Sequence, residues 1–146
     1  MTLFGLIFLC ALGLATTLKL WLAWRHINHV QAHRGAVPAQ FASEIGLDAH
    51  QRAADYTCAK TRLAMASVAV DVALVLWLTF GGGLQAMHDV TTGWFNGDIA
   101  RGMALLVLLT LIMTIIELPL SLFRTFRIEE RFGFNRMTLG VFFTDM

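Results

Sequence analysis

The sequence predicts an all-α integral membrane protein, a helical bundle of three transmembrane helices with juxtamembrane helices beside them. Three observations lead there. The 146 residues are 57% hydrophobic and only 14% charged, whereas soluble domains carry roughly 25% charged residues. Mean hydropathy is +0.65. The apolar residues also gather into three long runs, at about 3–24, 63–80 and 102–123, and a helix of about 20 such residues crosses a bilayer.

The first run, Leu3 to Trp24, holds one charge, Lys19, near its far end. A lysine there can lead its ammonium back to the interface, where Trp21 and Trp24 also belong. A cleaved signal peptide is the competing reading. It is disfavoured because no basic segment precedes the run and the run exceeds the usual apolar core of such peptides. A helical continuation is expected from Arg25 to His33, ended by Pro38. Asp48 is a candidate cap for a second helix that leads through Tyr56 and Arg62 into the second span.

The second span, 63–80, is apolar except for Asp71 and a few hydroxyls. Gly81-Gly82-Gly83 closes it, since glycine accepts left-handed C-terminal geometry. Residues 84–101 are expected as a short loop. The third span is interrupted by Glu117 and Pro119, and the proline removes a helical hydrogen bond and should kink the helix. The chain then enters a stretch with six charges in thirteen positions, Arg124, Arg127, Glu129, Glu130, Arg131 and Arg136, set among phenylalanines.

Basic residues orient the spans. None precedes the first; Arg25, Arg34, Arg52, Lys60 and Arg62 follow it; Arg101 stands alone in the second loop; four arginines mark the tail. The positive-inside rule places the amino terminus outside and the carboxyl end in the cytoplasm. A formal charge of +1 creates no field for nucleic acid, so the bilayer is the expected partner. Cys10 lies in an apolar run and Cys58 in a basic one, which argues against a disulfide.

Lys19, Asp71 and Glu117 form a candidate intramembrane polar cluster, because charges inside a span usually face a partner or a cavity. At a rise of about 1.5 Å per residue they lie roughly 8, 13 and 10 Å from the inner ends of their spans. At least one carboxylate is expected to pair with Lys19, the other to face a polar cavity. The alternatives are a buried clamp joining three helices and a wet cavity for water or substrate. His26, His29 and His33 share a helical face at a spacing that could hold zinc, but no Cys or carboxylate joins them, and an interfacial helix with titratable side chains is the favoured reading. No His-Glu-x-x-His pair, nucleophile elbow or phosphate-binding glycine loop occurs. No catalytic and no metal-binding residue is therefore assigned, and no cofactor is expected in this chain.

Two stretches carry a resemblance. Tyr56-Thr57-x-Ala59-Lys60-Thr61-Arg62, and Glu117-Leu118-Pro119 followed by Phe126-x-Ile128-Glu129-Glu130-Arg131-Phe132-Gly133-Phe134-Asn135-Arg136-x-Thr138, resemble the amino-terminal membrane region of CAAX prenyl protease 1. That family comprises zinc-dependent membrane endopeptidases of the gluzincin type, and this chain looks like a bacterial member of the inner membrane. The resemblance implies helices around an enclosed chamber, with zinc held by a His-Glu-x-x-His helix and a later glutamate, and a peptide substrate in the full-length enzyme. The sequence stops before that motif, at Phe142-Phe143-Thr144-Asp145-Met146, which reads as a cut within a longer protein. The resemblance thus implies a non-catalytic portion of the enzyme, inactive alone, with the catalytic metallopeptidase domain absent and missing as its partner. Glu129, Glu130, Gly133, Phe134, Asn135, Arg136 and Thr138 carry the family's junction motif. The residues themselves support a junction: Ile128, Phe132 and Phe134 offer apolar contacts, Gly133 a turn and Asn135 a cap. The rival reading is a stand-alone small membrane protein acting as a partner or assembly factor without chemistry.

Overall fold

The computed structural model describes residues 2–133, all of whose regular elements are helical. Four α-helices follow one another: α1 Leu3–Ala32, α2 Leu47–Thr79, α3 Gly83–Trp94 and α4 Asp98–Phe123. A single 3-10 turn, Ala39–Phe41, sits between α1 and α2, and a π-helical turn, Arg124–Glu129, continues α4. Three of these helices are long and apolar enough to cross a membrane.

α1 begins where the Thr2 hydroxyl accepts the Gly5 N–H at 3.3 Å, satisfying a donor that the first helical turn leaves unpaired. Several hydroxyls within the spans are satisfied locally. Thr16 and Thr17 on α1, Ser67 and Thr79 on α2 and Thr110 on α4 each donate to the carbonyl four residues back, at 2.6 to 3.2 Å. In hydrocarbon an unpaired hydroxyl has no water to turn to, so this local bond is what makes these residues tolerable there.

α1 and α2 form an antiparallel hairpin, pinned at both ends. At one end Phe8 and Phe80 place their rings 6.0 Å apart. At the other, Arg34 donates from Nε and Nη2 to the two Asp55 carboxylate oxygens at 2.8 and 2.9 Å, and His50 Nε2 donates to the His33 carbonyl at 3.0 Å. α2 is the central helix: it packs on α1, α3, α4 and the π turn, whereas α1 does not meet α4 among the described residues. Buried apolar side chains are few, among them Ile27, Cys58, Leu74, Met87 and Ile128, while Leu3, Phe4, Trp94 and Ile99 are mostly exposed. Such an outer surface suits lipid or neighbouring helices.

Two expectations are corrected in detail. Residues 84–101 are not a loop: α3 occupies most of them, with Gly83, Met87 and Thr91 buried at i, i+4 and i+8 on one face. α2 is capped by Gly46, with Asp48 in its first turn rather than at its cap; α4 itself begins at Asp98, four residues ahead of the apolar run that starts at 102. Pro119 lies inside α4, and the irregular winding comes five residues later, at Arg124.

Candidate functional site

Two polar stripes face each other across an open groove. On α2, Lys60, Ala64, Ser67 and Asp71 recur at i, i+4, i+7 and i+11; on α4 and the start of its π continuation, Glu117, Ser121 and Arg124 recur at i, i+4 and i+7. Helical spacing of that kind puts each set on one face. All seven line one groove of about 410 Å³. The basic residues, Lys60 and Arg124, mark its mouth, and the carboxylates lie about 11 to 17 Å further in at the helical rise. Both carboxylates are exposed to this space, and no ion pair engages either of them among the described residues.

Lys19 does not join them. It is exposed on α1, outside the groove, and no described carboxylate pairs with it. The reason is azimuthal: α2 stands between α1 and α4. Depth along the bilayer normal is legible from residue counting, but the side of the bundle that a residue faces is not. The repeat from Glu117 to Arg124 was a missed signal, since its spacing alone assigns Ser121 and Arg124 to the carboxylate's face.

A second, wider groove of about 830 Å³ opens between α2 and the end of α4. Arg62 and Ala66 form one wall; Phe126, Arg127, Glu130 and Phe132 form the other. The two stretches that carry the family resemblance therefore meet in space. Tyr56 and Phe132 pack edge to face with centroids 5.6 Å apart, a geometry that aligns ring edge with ring face. Lys60 sits over the Tyr56 ring at 5.8 Å and Arg131 over Phe132 at 5.7 Å. Ile128 is buried beside them. Gly133, at φ +77°, takes the left-handed conformation just past the last helical turn. Of the junction motif, Glu129, Glu130 and Gly133 fall in this region, whereas Phe134, Asn135, Arg136 and Thr138 lie outside the described residues.

Asp55 precedes the apolar part of α2 by two turns, outside the membrane-spanning stretch. The hydrogen bonds from Arg34 hold its carboxyl below the usual range; partial burial opposes this, and the charges of Arg34 and Arg131 add to it. The three α1 histidines do not converge on a metal: His26, His29 and His33 are exposed, and His33 Nδ1 donates to the His29 carbonyl at 2.8 Å. Among the described residues no three His, Cys, Asp or Glu side chains lie close enough to hold an ion.

A helical membrane domain with an intramembrane polar groove and an aromatic-basic junction at one end is the class that this geometry defines. Residues 26–146 match the family described as CAAX prenyl protease N-terminal, five membrane helices. The chain belongs to that family and is an amino-terminal membrane domain of its kind. CAAX prenyl protease 1 of Saccharomyces cerevisiae is 42% identical over 48 residues, 33% of this chain and 11% of that protein. The Caenorhabditis elegans homolog is 29% identical over 130 residues, 88% of this chain and 28% of that protein. The crystal structure of S. mikatae Ste24p superposes with a TM-score of 0.89 at 23% identity, covering 100% of this chain and 35% of that one. The chain therefore spans about a third or less of the proteins it matches.

Proposed function

We propose that this domain is the non-catalytic amino-terminal part of a membrane zinc metalloendopeptidase, forming part of an intramembrane chamber wall and its cytoplasmic junction. The observation that carries this reading is the convergence of the two family stretches at Tyr56 and Phe132, with Tyr56 one turn of α2 from Lys60 at the mouth of a groove lined by Asp71 and Glu117. In this reading the two carboxylates keep the chamber wall wet, because an ionised or hydrogen-bonding side chain at that depth is tolerable only beside water or a polar partner. The face carrying Arg62, Arg127 and Glu130 receives the catalytic region of the same protein. The described residues do not fit a zinc site, so zinc is assigned to none of them; the ion and the peptide substrate would be held elsewhere in the full-length protein. The surplus of Lys and Arg in 25–62 and after 123 supports a cytoplasmic junction, with the amino terminus outside, in a bacterial inner membrane.

The test is to read the gene beyond codon 146 and measure zinc in the purified product. An open frame reaching a His-Glu-x-x-His helix, with one zinc per chain, is expected. A stop codon together with a zinc-free, stable membrane protein would transfer the chain to the partner or assembly-factor class.

A further inference from the structure

The π turn after α4 carries an ion pair that ordinary helical winding cannot make. Arg124 Nε lies 3.4 Å from Glu129 Oε1. The two residues are five apart. In an α-helix that separation places side chains about 140° apart around the axis, on nearly opposite faces. Salt bridges within α-helices therefore join i to i+3 or i+4. Only the wider π turn, whose hydrogen bonds run between residues five apart, brings Arg124 and Glu129 together.

The winding has a consequence downstream. Rewinding this segment as an α-helix would rotate everything after it by roughly 100°, one residue's worth of phase. Ile128 would then leave its buried position, and Phe132 would turn away from Tyr56. Arg124 also lines the mouth of the carboxylate groove, so the same side chain touches both polar regions of the domain.

We propose that Arg124 and Glu129 form a winding lock that holds the end of α4 in the phase that seats Ile128 and Phe132 on α2. Releasing the pair lets the segment rewind and swings the junction face out of register with α2. The lock rests on helix geometry alone, so its failure would leave the family and the proposed function standing.

The test uses the full-length protein in membranes, with Cys10→Ser and Cys58→Ala as background. Ala59→Cys and Glu130→Cys then place one thiol on each wall of the wider groove, and a short bismaleimide reports their proximity. With the pair intact, efficient cross-linking is expected. Glu129→Gln should lower its rate, by up to about fivefold for a partly exposed pair. The exchanged pair, Arg124→Glu with Glu129→Arg, should restore it. Deleting Thr125 moves the partners to i,i+4, a spacing an α-helix bridges, and should keep the groove in phase with efficient cross-linking. An unchanged rate in Glu129→Gln, no recovery in the exchanged pair, or loss of cross-linking in the deletion would each overturn the lock. Equal amounts of each variant in the membrane fraction separate a phase change from misfolding.

Discussion

The Gly81-Gly82-Gly83 turn yields a prediction whose three parts differ in physical cause. Only Gly82 has a left-handed backbone, at φ +76°. Alanine there costs about 1–2 kcal/mol in the folded state, partly offset by about 0.4–1 kcal/mol from a stiffer unfolded chain. Gly83 is different: a Cβ at this site would lie 2.9 Å from two carbons of the Trp77 indole. Overpacking of that kind costs about 1–3 kcal/mol, but Trp77 is 45% exposed as a residue, which leaves its side chain room to move. Gly81 is the hardest site, since its Cβ would lie 2.8 Å from the Trp77 carbonyl oxygen and 3.0 Å from its Cα. No rotamer relieves a clash with main chain, so about 3 kcal/mol is expected, the upper end of overpacking costs.

The expected order of damage is Gly81→Ala, then Gly83→Ala, then Gly82→Ala. The assay is denaturant unfolding of the full-length protein in mixed micelles, followed by far-ultraviolet circular dichroism. Repeating the series in a Trp77→Ala background separates the causes. The Gly83→Ala penalty should shrink by about 1–2 kcal/mol, within the usual range for residues in contact, while most of the Gly81→Ala penalty should persist, since only its 3.0 Å approach to the indole Cδ1 is relieved. A Gly83→Ala protein as stable as the parent, or a Gly81→Ala protein rescued by removing the indole, would refute the reasoning.

Other outcomes follow from the same geometry. Asp71→Asn should accumulate and fold normally, because no cation among the described residues pairs with Asp71; loss of folded protein on membrane extraction would show that a charge pair is needed. Replacing Lys19 with Met should leave Asp71 and Glu117 undisturbed, checked by unchanged unfolding midpoints at neutral pH. The Asp55 carboxyl titrates below its unfolded value, so its contribution to stability is present above the ordinary carboxylate range and is lost as pH falls through the folded pKa. Arg34→Ala should flatten that acid limb, seen in unfolding midpoints measured across the acid range. Phe132→Ala should destabilise the junction by about 3–5 kcal/mol at most, the range for a fully buried aromatic, and by less here because Phe132 is half-buried; increased proteolysis near Gly133 in membranes is the readout.

The glycines illustrate how far residue reading carries. A break after the second span was legible from Gly81-Gly82-Gly83, but left-handed geometry explains only the middle one. The other two are small because Trp77 lies over them, a contact between residues four to six apart that a propensity argument does not contain. α3 was missed for a related reason. Its burial stripe, Gly83, Met87 and Thr91, has only one large apolar member, so it lacks the dense periodicity that marks a helix. The carboxylate groove was half legible: depth followed from counting residues, while the facing of Glu117 toward α2, and of Lys19 away from it, depended on helix placement.

The amino-acid sequence by itself determined that three helices span a membrane, because apolar run length measures directly against bilayer thickness. It also determined which ends carry positive charge, and that Tyr56–Arg62 and Glu117–Thr138 belong to one family pattern. Only the tertiary structure decided that α2 is central, that the two family stretches meet at Tyr56 and Phe132, and that Lys19 stands apart from Asp71 and Glu117. The physical reason is that hydropathy orders residues along the membrane normal, whereas rotation about each helix axis is settled by side-chain packing between helices, and at Arg124–Glu129 by a change in the winding itself.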